Sequence, residues 1–248
     1  MRKIFLTVFA LGLFSLSVRA QNIEELQAKY DQGAYAEVYE AAMQLGTAQG
    51  YALAANAATM YAFLELSPPE DEEWFDKAKA AADQAVEADP NSAVTQQAWA
   101  EVNGRFAMKA TASQGVSAAL RNPSMVSMIR PLREHAEKAM ELAPEWPDPY
   151  VTLGLWHLVV AESGVGFLYG ANGDKGLELL DKGVQLGAEQ SYKRHITGLV
   201  EYGYGFYLTG DKEKARVQLD KALALPAKTA EDRLQQERAK TILAELAE

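Results

Sequence analysis

Three histidines, His135, His157 and His195, and no cysteine stand in the 248-residue chain. Structural and catalytic zinc sites draw on His or Cys pairs a few residues apart, and none of these imidazoles has such a partner. They read as packing residues: His135 on the second helix of a hairpin, His157 in an aromatic slot of another, and His195 opening a helix beside Lys193 and Arg194. The acid–base pair that local sequence offers is Glu162 with His157, five residues apart and so poorly aligned on a straight helix. Gly115-Val116-Ser117-Ala118-Ala119 lacks the closing glycine and preceding strand of a nucleophile elbow, and Gly170-Ala171-Asn172-Gly173-Asp174-Lys175 lacks the spacing of a phosphate loop. Glu70-Asp71-Glu72-Glu73 follows Pro68-Pro69 without the alternating oxygen ligands and turn glycine of a calcium loop, and reads as charge at a helix N-terminus. The expectation is a binding protein with no catalytic residue, no metal and no cofactor.

Arg2 and Lys3, an apolar run from Ile4 to Val18 and the small-residue site Val18-Arg19-Ala20 have the order of a secretory signal peptide, with cleavage expected near Ala20. The run is shorter than the roughly 20 residues that span a bilayer, which favours a cleaved leader over a permanent anchor, and no other segment is expected to be apolar enough to span. We therefore expect a leader over 1–20, a folded domain over 21–248, and a periplasmic or secreted location without stable membrane insertion after cleavage. Losing Arg2, Lys3 and Arg19 takes the formal charge from −10 to −13. So acidic a domain repels phosphate backbones and anionic surfaces, and the only basic cluster that could offset this is Arg121, Arg130 and Arg133. Nucleic acid is not an expected partner.

The elements that must carry these residues follow a helical period. Leu199, Tyr202, Gly203, Phe206, Gly210, Ala215, Leu219 and Ala222 describe two helices joined at Gly210. Gly203 lets the second helix approach where Ala215 and Ala222 face it, while Phe206 and Leu219 fill the space between. Tyr150, Leu153, Gly154 and His157, then Gly176, Leu180, Gly183 and Leu186, repeat the pattern upstream. Ala78, Ala82, Ala85 and Pro90, and more loosely Ala136, Ala139 and Pro144, carry second-helix endings closed by proline. Their partner helices begin near Ala54 and Gln96, and a shorter hairpin split at Gly33 precedes them. Thr229 and Asp232 form a capping pair ahead of a last amphipathic helix carrying Leu234, Ile242, Leu243 and Leu246.

These spacings resemble the tetratricopeptide (TPR) superfamily over nearly all of the mature chain, most closely in the last two hairpins. The resemblance implies an all-α, TPR-like helical-hairpin solenoid with long intra-repeat insertions and a C-terminal capping helix. The layout of leader, irregular hairpins and insertions, with Tyr169-Gly170-Ala171-Asn172 leading into a Gly-Leu-Glu-Leu-Leu helix, is also similar to the TatT component of TRAP-type transport systems. That second resemblance implies a periplasmic accessory for uptake of small apolar or organic-acid molecules. TatT proteins typically carry a lipid anchor on an N-terminal cysteine, which this chain lacks.

Phe206 and Ala215 lie nine positions apart, whereas the equivalent intervals Tyr61–Ala78, His157–Gly176 and Asn103–Leu132 are seventeen, nineteen and twenty-nine. Insertions that long tend to serve a purpose. The segment 161–173, glycine-rich around Val165, Phe167, Leu168 and Tyr169, either lengthens its flanking helices or forms a lid. The methionines of 109–131 serve either an adaptable apolar face or plain core. First-helix positions that would face a groove are Val151, Leu155, Leu158 and Val159 in one hairpin and Thr197, Val200, Tyr204, Tyr207 and Leu208 in the next, with Phe167 and Tyr169 from the insertion. Such a groove suits an apolar peptide, helix or small molecule and lacks the basic residues of an acidic-tail clamp. Two functions follow: a non-enzymatic protein-interaction scaffold in the bacterial cell envelope, or a TatT-like accessory or carrier for a small apolar ligand.

Overall fold

Glycines, prolines and short polar caps punctuate the chain into helices, and helix is the regular structure throughout the described residues of the computed structural model, which covers 22–67, 69–115 and 121–247. The expected leader therefore lies outside the described residues. Helix α1 (22–32) stops at Gly33, whose φ of 93° only glycine adopts without strain, and α2 (Tyr35–Gln44) follows. Thr47 opens α3 (Ala48–Met60) by accepting from the Gly50 amide, and the helix runs on through a π-helical turn, Tyr61–Glu65. The acidic run at 70–73 forms the first turn of α4 (Glu70–Ala88), where carboxylates meet the positive end of the helix dipole. Next come α5 (Ala93–Gln114), α6 (Pro123–Leu142) and α7 (Pro147–Val160). The chain continues through a second π turn, Ala161–Val165, and the short α8 (Gly166–Tyr169). Asn172 caps α9 (Gly173–Glu189), and α10 (His195–Leu208) and α11 (Lys212–Ala224) follow. The Thr229–Asp232 capping box expected from sequence opens α12 (Ala230–Glu245).

The helices pack serially. Helix α3 pairs with α4, α5 with α6, α7 with α9, and α10 with α11; in addition α3 touches α5, α5 touches α7, α7 touches α10, and α10 touches α12. Alanine makes the first pairs close: Ala54, Ala57, Ala58, Ala78, Ala81 and Ala82 are all fully buried in one cluster. Glycine does so later. A Cβ on Gly154 would stand 2.8 Å from the Gly176 carbonyl oxygen, and one on Gly176 would stand 2.7 Å from Leu158 Cγ, so α7 and α9 cross backbone against backbone. A Cβ on Gly203 would stand 2.7 Å from Leu219 Cγ, which is the approach that the Gly203, Ala215 and Ala222 spacing requires. The first and last described helices also meet: Leu26 and Tyr30 of α1 share a core cluster with Ala230, and a Cβ on Gly33 would touch the Ala230 Cβ at 3.0 Å.

The long intervals are spent largely on helix. Helix α5 runs to Gln114, and α7 extends through its π turn into α8. The run Pro147–Tyr169 is long and apolar enough to cross a bilayer by length and composition, which corrects the expectation that no segment beyond the leader is. Much of that apolarity serves packing, since Leu153, Trp156, Leu158 and Val160 are buried among neighbouring helices.

Candidate functional site

Small residues on one helix facing large ones on its neighbours leave space, and this happens between α5, α6 and α7. Gly104 and Ala107 of α5 face Met125, Met128, Ile129 and Leu132 of α6 and Leu155, Trp156, Val159 and Val160 of α7 around a cavity of about 120 Å³. Gly104 is the reason for part of that space: a Cβ there would meet only Leu132 Cδ1, at 3.8 Å. Apolar walls of this kind can stay dry and accept small apolar molecules.

The frame around the cavity is fixed by a few polar contacts. Pro131 lies inside α6 and removes one amide from its ladder. Two residues earlier, the Ile129 carbonyl accepts the Trp156 indole N–H at 2.7 Å, which ties α7 to α6. Arg133 donates to Glu137 at 2.8 Å and to the Tyr169 carbonyl at 3.2 Å, holding α8 against α6. The Asn172 amide donates to His157 Nδ1 at 3.2 Å, so the buried imidazole anchors the turn that opens α9. Burial, with Lys175 and Arg133 adding like charge, holds the His157 pKa down at about 4, so the ring is neutral at pH 7. A broader hollow of about 530 Å³ lies on the surface between α9, α10 and α11, but its wall mixes Asp181, Gln185 and Lys221 with apolar groups and encloses little.

Beside the cavity, the first helices enclose charge. The Arg194 guanidinium, at the head of α10, bonds Glu101 of α5, Asp148 of α7 at 2.7 Å and Glu231 of α12 at 2.8 Å. One turn along α5, Arg105 donates to Glu201 of α10 at 2.6 Å, and Arg238 of α12 donates to the same oxygen at 2.7 Å. Glu201 is fully buried; burial pushes its carboxyl up, but Arg238 and Arg105 together bring it down to about 2. Burial likewise works against Glu101, and Arg194 more than offsets it, leaving that carboxyl below its ordinary value. Asp148 goes the other way, raised by burial despite Arg194.

The residues expected to face a groove are dispersed. Leu155 and Val159 line the cavity. Val151 and Leu158 are buried against α9, and Val200 is buried in the core of α10, α11 and α12. Leu208 packs on the Val151–Leu158 cluster. Tyr204 lies under the Arg238 guanidinium at 4.9 Å and stacks on Tyr207 at 6.0 Å. Tyr169 packs on the Leu132–Trp156 cluster, whereas Phe167 is 81% exposed at the corner. Thr197 Oγ1 donates to Glu231 within the charge network. Of the poorly aligned pair Glu162 and His157, His157 is buried and Glu162 exposed. His135 stacks on Trp99, and His195 sits against Gly187. Among the described residues no cluster of His, Cys, Asp and Glu could hold a metal ion.

Sequence reasoning missed the charge network, although it left a trace. Glu201 is the sole charged residue in the run Ile196–Leu208, and a lone carboxylate on an apolar helix needs a buried cationic partner. No family model matches the chain, and no curated protein matches it.

Proposed function

We propose that this chain is an exported, TPR-like helical-repeat protein of the bacterial envelope that binds a small apolar molecule between α5, α6 and α7 and performs no chemistry on it. One observation carries the reading: the three helices leave a cavity whose wall is mainly aliphatic, aromatic and thioether side chains, with a few polar ones. The solenoid part of the reading is supported by the serial pairing, in which each first helix touches the first helix of the next pair. The leader pattern supports a periplasmic or secreted location, and the acidity of the mature chain supports the exclusion of nucleic acid.

Native mass spectrometry of the purified protein, followed by titration with small apolar probes, tests this. Gly104→Leu places a side chain into the open space beside Leu132 and should abolish binding while the fold persists. Unchanged probe affinity in that variant would refute the cavity as the binding site.

A second reading, a protein-interaction scaffold, has its own observation. Phe167 is 81% and Leu168 60% exposed on a corner flanked by Gly164 and Gly170, and adjacent exposed apolar side chains of this size are suited to burial against another chain. Phe167→Ser should abolish crosslinking to an envelope partner if scaffolding is the role, and leave probe binding intact if the cavity is the functional site.

A further inference from the structure

The ligand-binding reading can be taken further, because the cavity wall also carries polar residues, and the inference below rests on that reading. Glu101 is the only ionisable side chain among the described residues of the wall. Its oxygens bond Arg194 and lie 3.9 Å from Arg105, yet a carboxylate offers about four acceptor sites and these contacts leave some unspent. Thr152, also in the wall, has its Oγ1 2.7 Å from Gln97 Nε2, and Gln97, only 2% exposed, leaves its Oε1 without a partner. The other hydroxyls of the wall are committed elsewhere: Thr111 donates to the carbonyls of Ala107 and Met108, and Ser163 to that of Val160.

The surrounding charge reinforces this polarity. The network holds four carboxylates, Glu101, Asp148, Glu201 and Glu231, against three guanidiniums, Arg105, Arg194 and Arg238. Arg194 is already shared among three of those carboxylates. An incoming anion would add to an existing excess of negative charge and meet no cationic side chain among the described residues of the wall, in a setting where apolar walls weaken screening. A head group that donates a hydrogen bond would instead find an acceptor.

We propose that the cavity takes an amphiphile with an apolar body and a non-anionic, hydrogen-bond-donating head, an alcohol or an alkylammonium, received by Glu101 and Thr152. Four probes of equal chain length test it by calorimetry at pH 7: n-octanol, n-octylamine, octyl methyl ether and octanoate. Octanol and octylamine should bind about tenfold or more tightly than octanoate, and the ether, which keeps the oxygen but loses the donor, should fall several-fold below octanol. Glu101→Gln should shrink the octanol–octanoate gap to about threefold or less. Because Glu101 also holds Arg194, that variant is checked for folding by circular dichroism. Thr152→Val, which leaves every Arg194 contact in place, should weaken octanol several-fold. Octanoate binding as tightly as octanol, or a folded Glu101→Gln with the gap unchanged, would overturn the head-group assignment alone. Failure of all four probes to bind would overturn the cavity reading itself, and this assignment with it.

Discussion

Replacing Glu201 by glutamine removes one negative charge from the interior and almost no volume. The carboxylate is fully buried and accepts from two guanidiniums, Arg105 at 2.6 Å and Arg238 at 2.7 Å. Its pKa falls from the ordinary 4.5 to about 2, and each unit is worth about 1.4 kcal/mol, so the ionised form stabilises the fold by about 3 kcal/mol at pH 7. Loss of one partner from a buried ion pair costs about 3–5 kcal/mol in other proteins, which agrees. Urea unfolding followed by circular dichroism should therefore show Glu201→Gln less stable by about 3 kcal/mol at pH 7, a large part of a typical total of about 5–15 kcal/mol. The sign with pH follows from a depressed carboxylate: the contribution is fully present above the unfolded value near 4.5 and is lost as pH falls toward 2. The gap between wild type and variant should close over that window. A variant within about 0.5 kcal/mol of wild type at pH 7, or a gap that does not change with pH, would refute the assignment of Glu201 as the anchor of two buried arginines.

Other perturbations have equally definite outcomes. Gly176→Ala drives a Cβ into Leu158 and the Gly154 carbonyl, and should cost about 1–3 kcal/mol, read as a fall in Tm of several degrees. Gly104→Ala should do the reverse, gaining about 0.5–1 kcal/mol from helix propensity because its Cβ would make only an ordinary contact with Leu132 Cδ1. His157 stays neutral in the fold down to about pH 4 while the unfolded chain protonates near 6.5. Stability should thus drop as pH falls from 6.5 to 4 by about 1–3 kcal/mol, and His157→Gln should flatten that part of the profile. Trp156→Phe removes the indole donor to the Ile129 carbonyl and should cost about 1 kcal/mol, read as a lower midpoint of urea unfolding.

Legibility in the sequence followed locality. The Thr229–Asp232 box and the closure of α4 and α6 before Pro90 and Pro144 are set by residues within a few positions of one another, and each could be read directly. Gly203 with Ala215 and Ala222 was legible too, because a helix–helix crossing writes its small residues at a fixed period. The cavity was less accessible to such reading: it depends on Gly104 being opposite Leu132 and on Trp156 reaching Ile129, pairings between three helices that no single period encodes. The methionines of α6 were visible, but not that Met125 and Met128 border a space. Least legible was the charge network, whose partners stand as far apart as 96 residues; Arg105 looks like a surface residue until α10 brings Glu201 to it.

Helical arrays whose units touch only their neighbours can fray from either end and fold from any point. Contacts that bring Arg105 to Glu201, Arg194 to Glu101 and Gly33 to Ala230 remove that freedom. They fasten α1 and α5 to α10 and α12, so opening α12 leaves Glu201 without Arg238 and Arg194 without Glu231. Opening should then be a single event, with amides of α5, α10 and α12 exchanging hydrogen at one shared rate-limiting free energy instead of a gradient from the termini. Folding carries the same constraint in time: the interior cannot close its charges until Arg238 has been delivered, which makes the last helix the step that commits the whole chain.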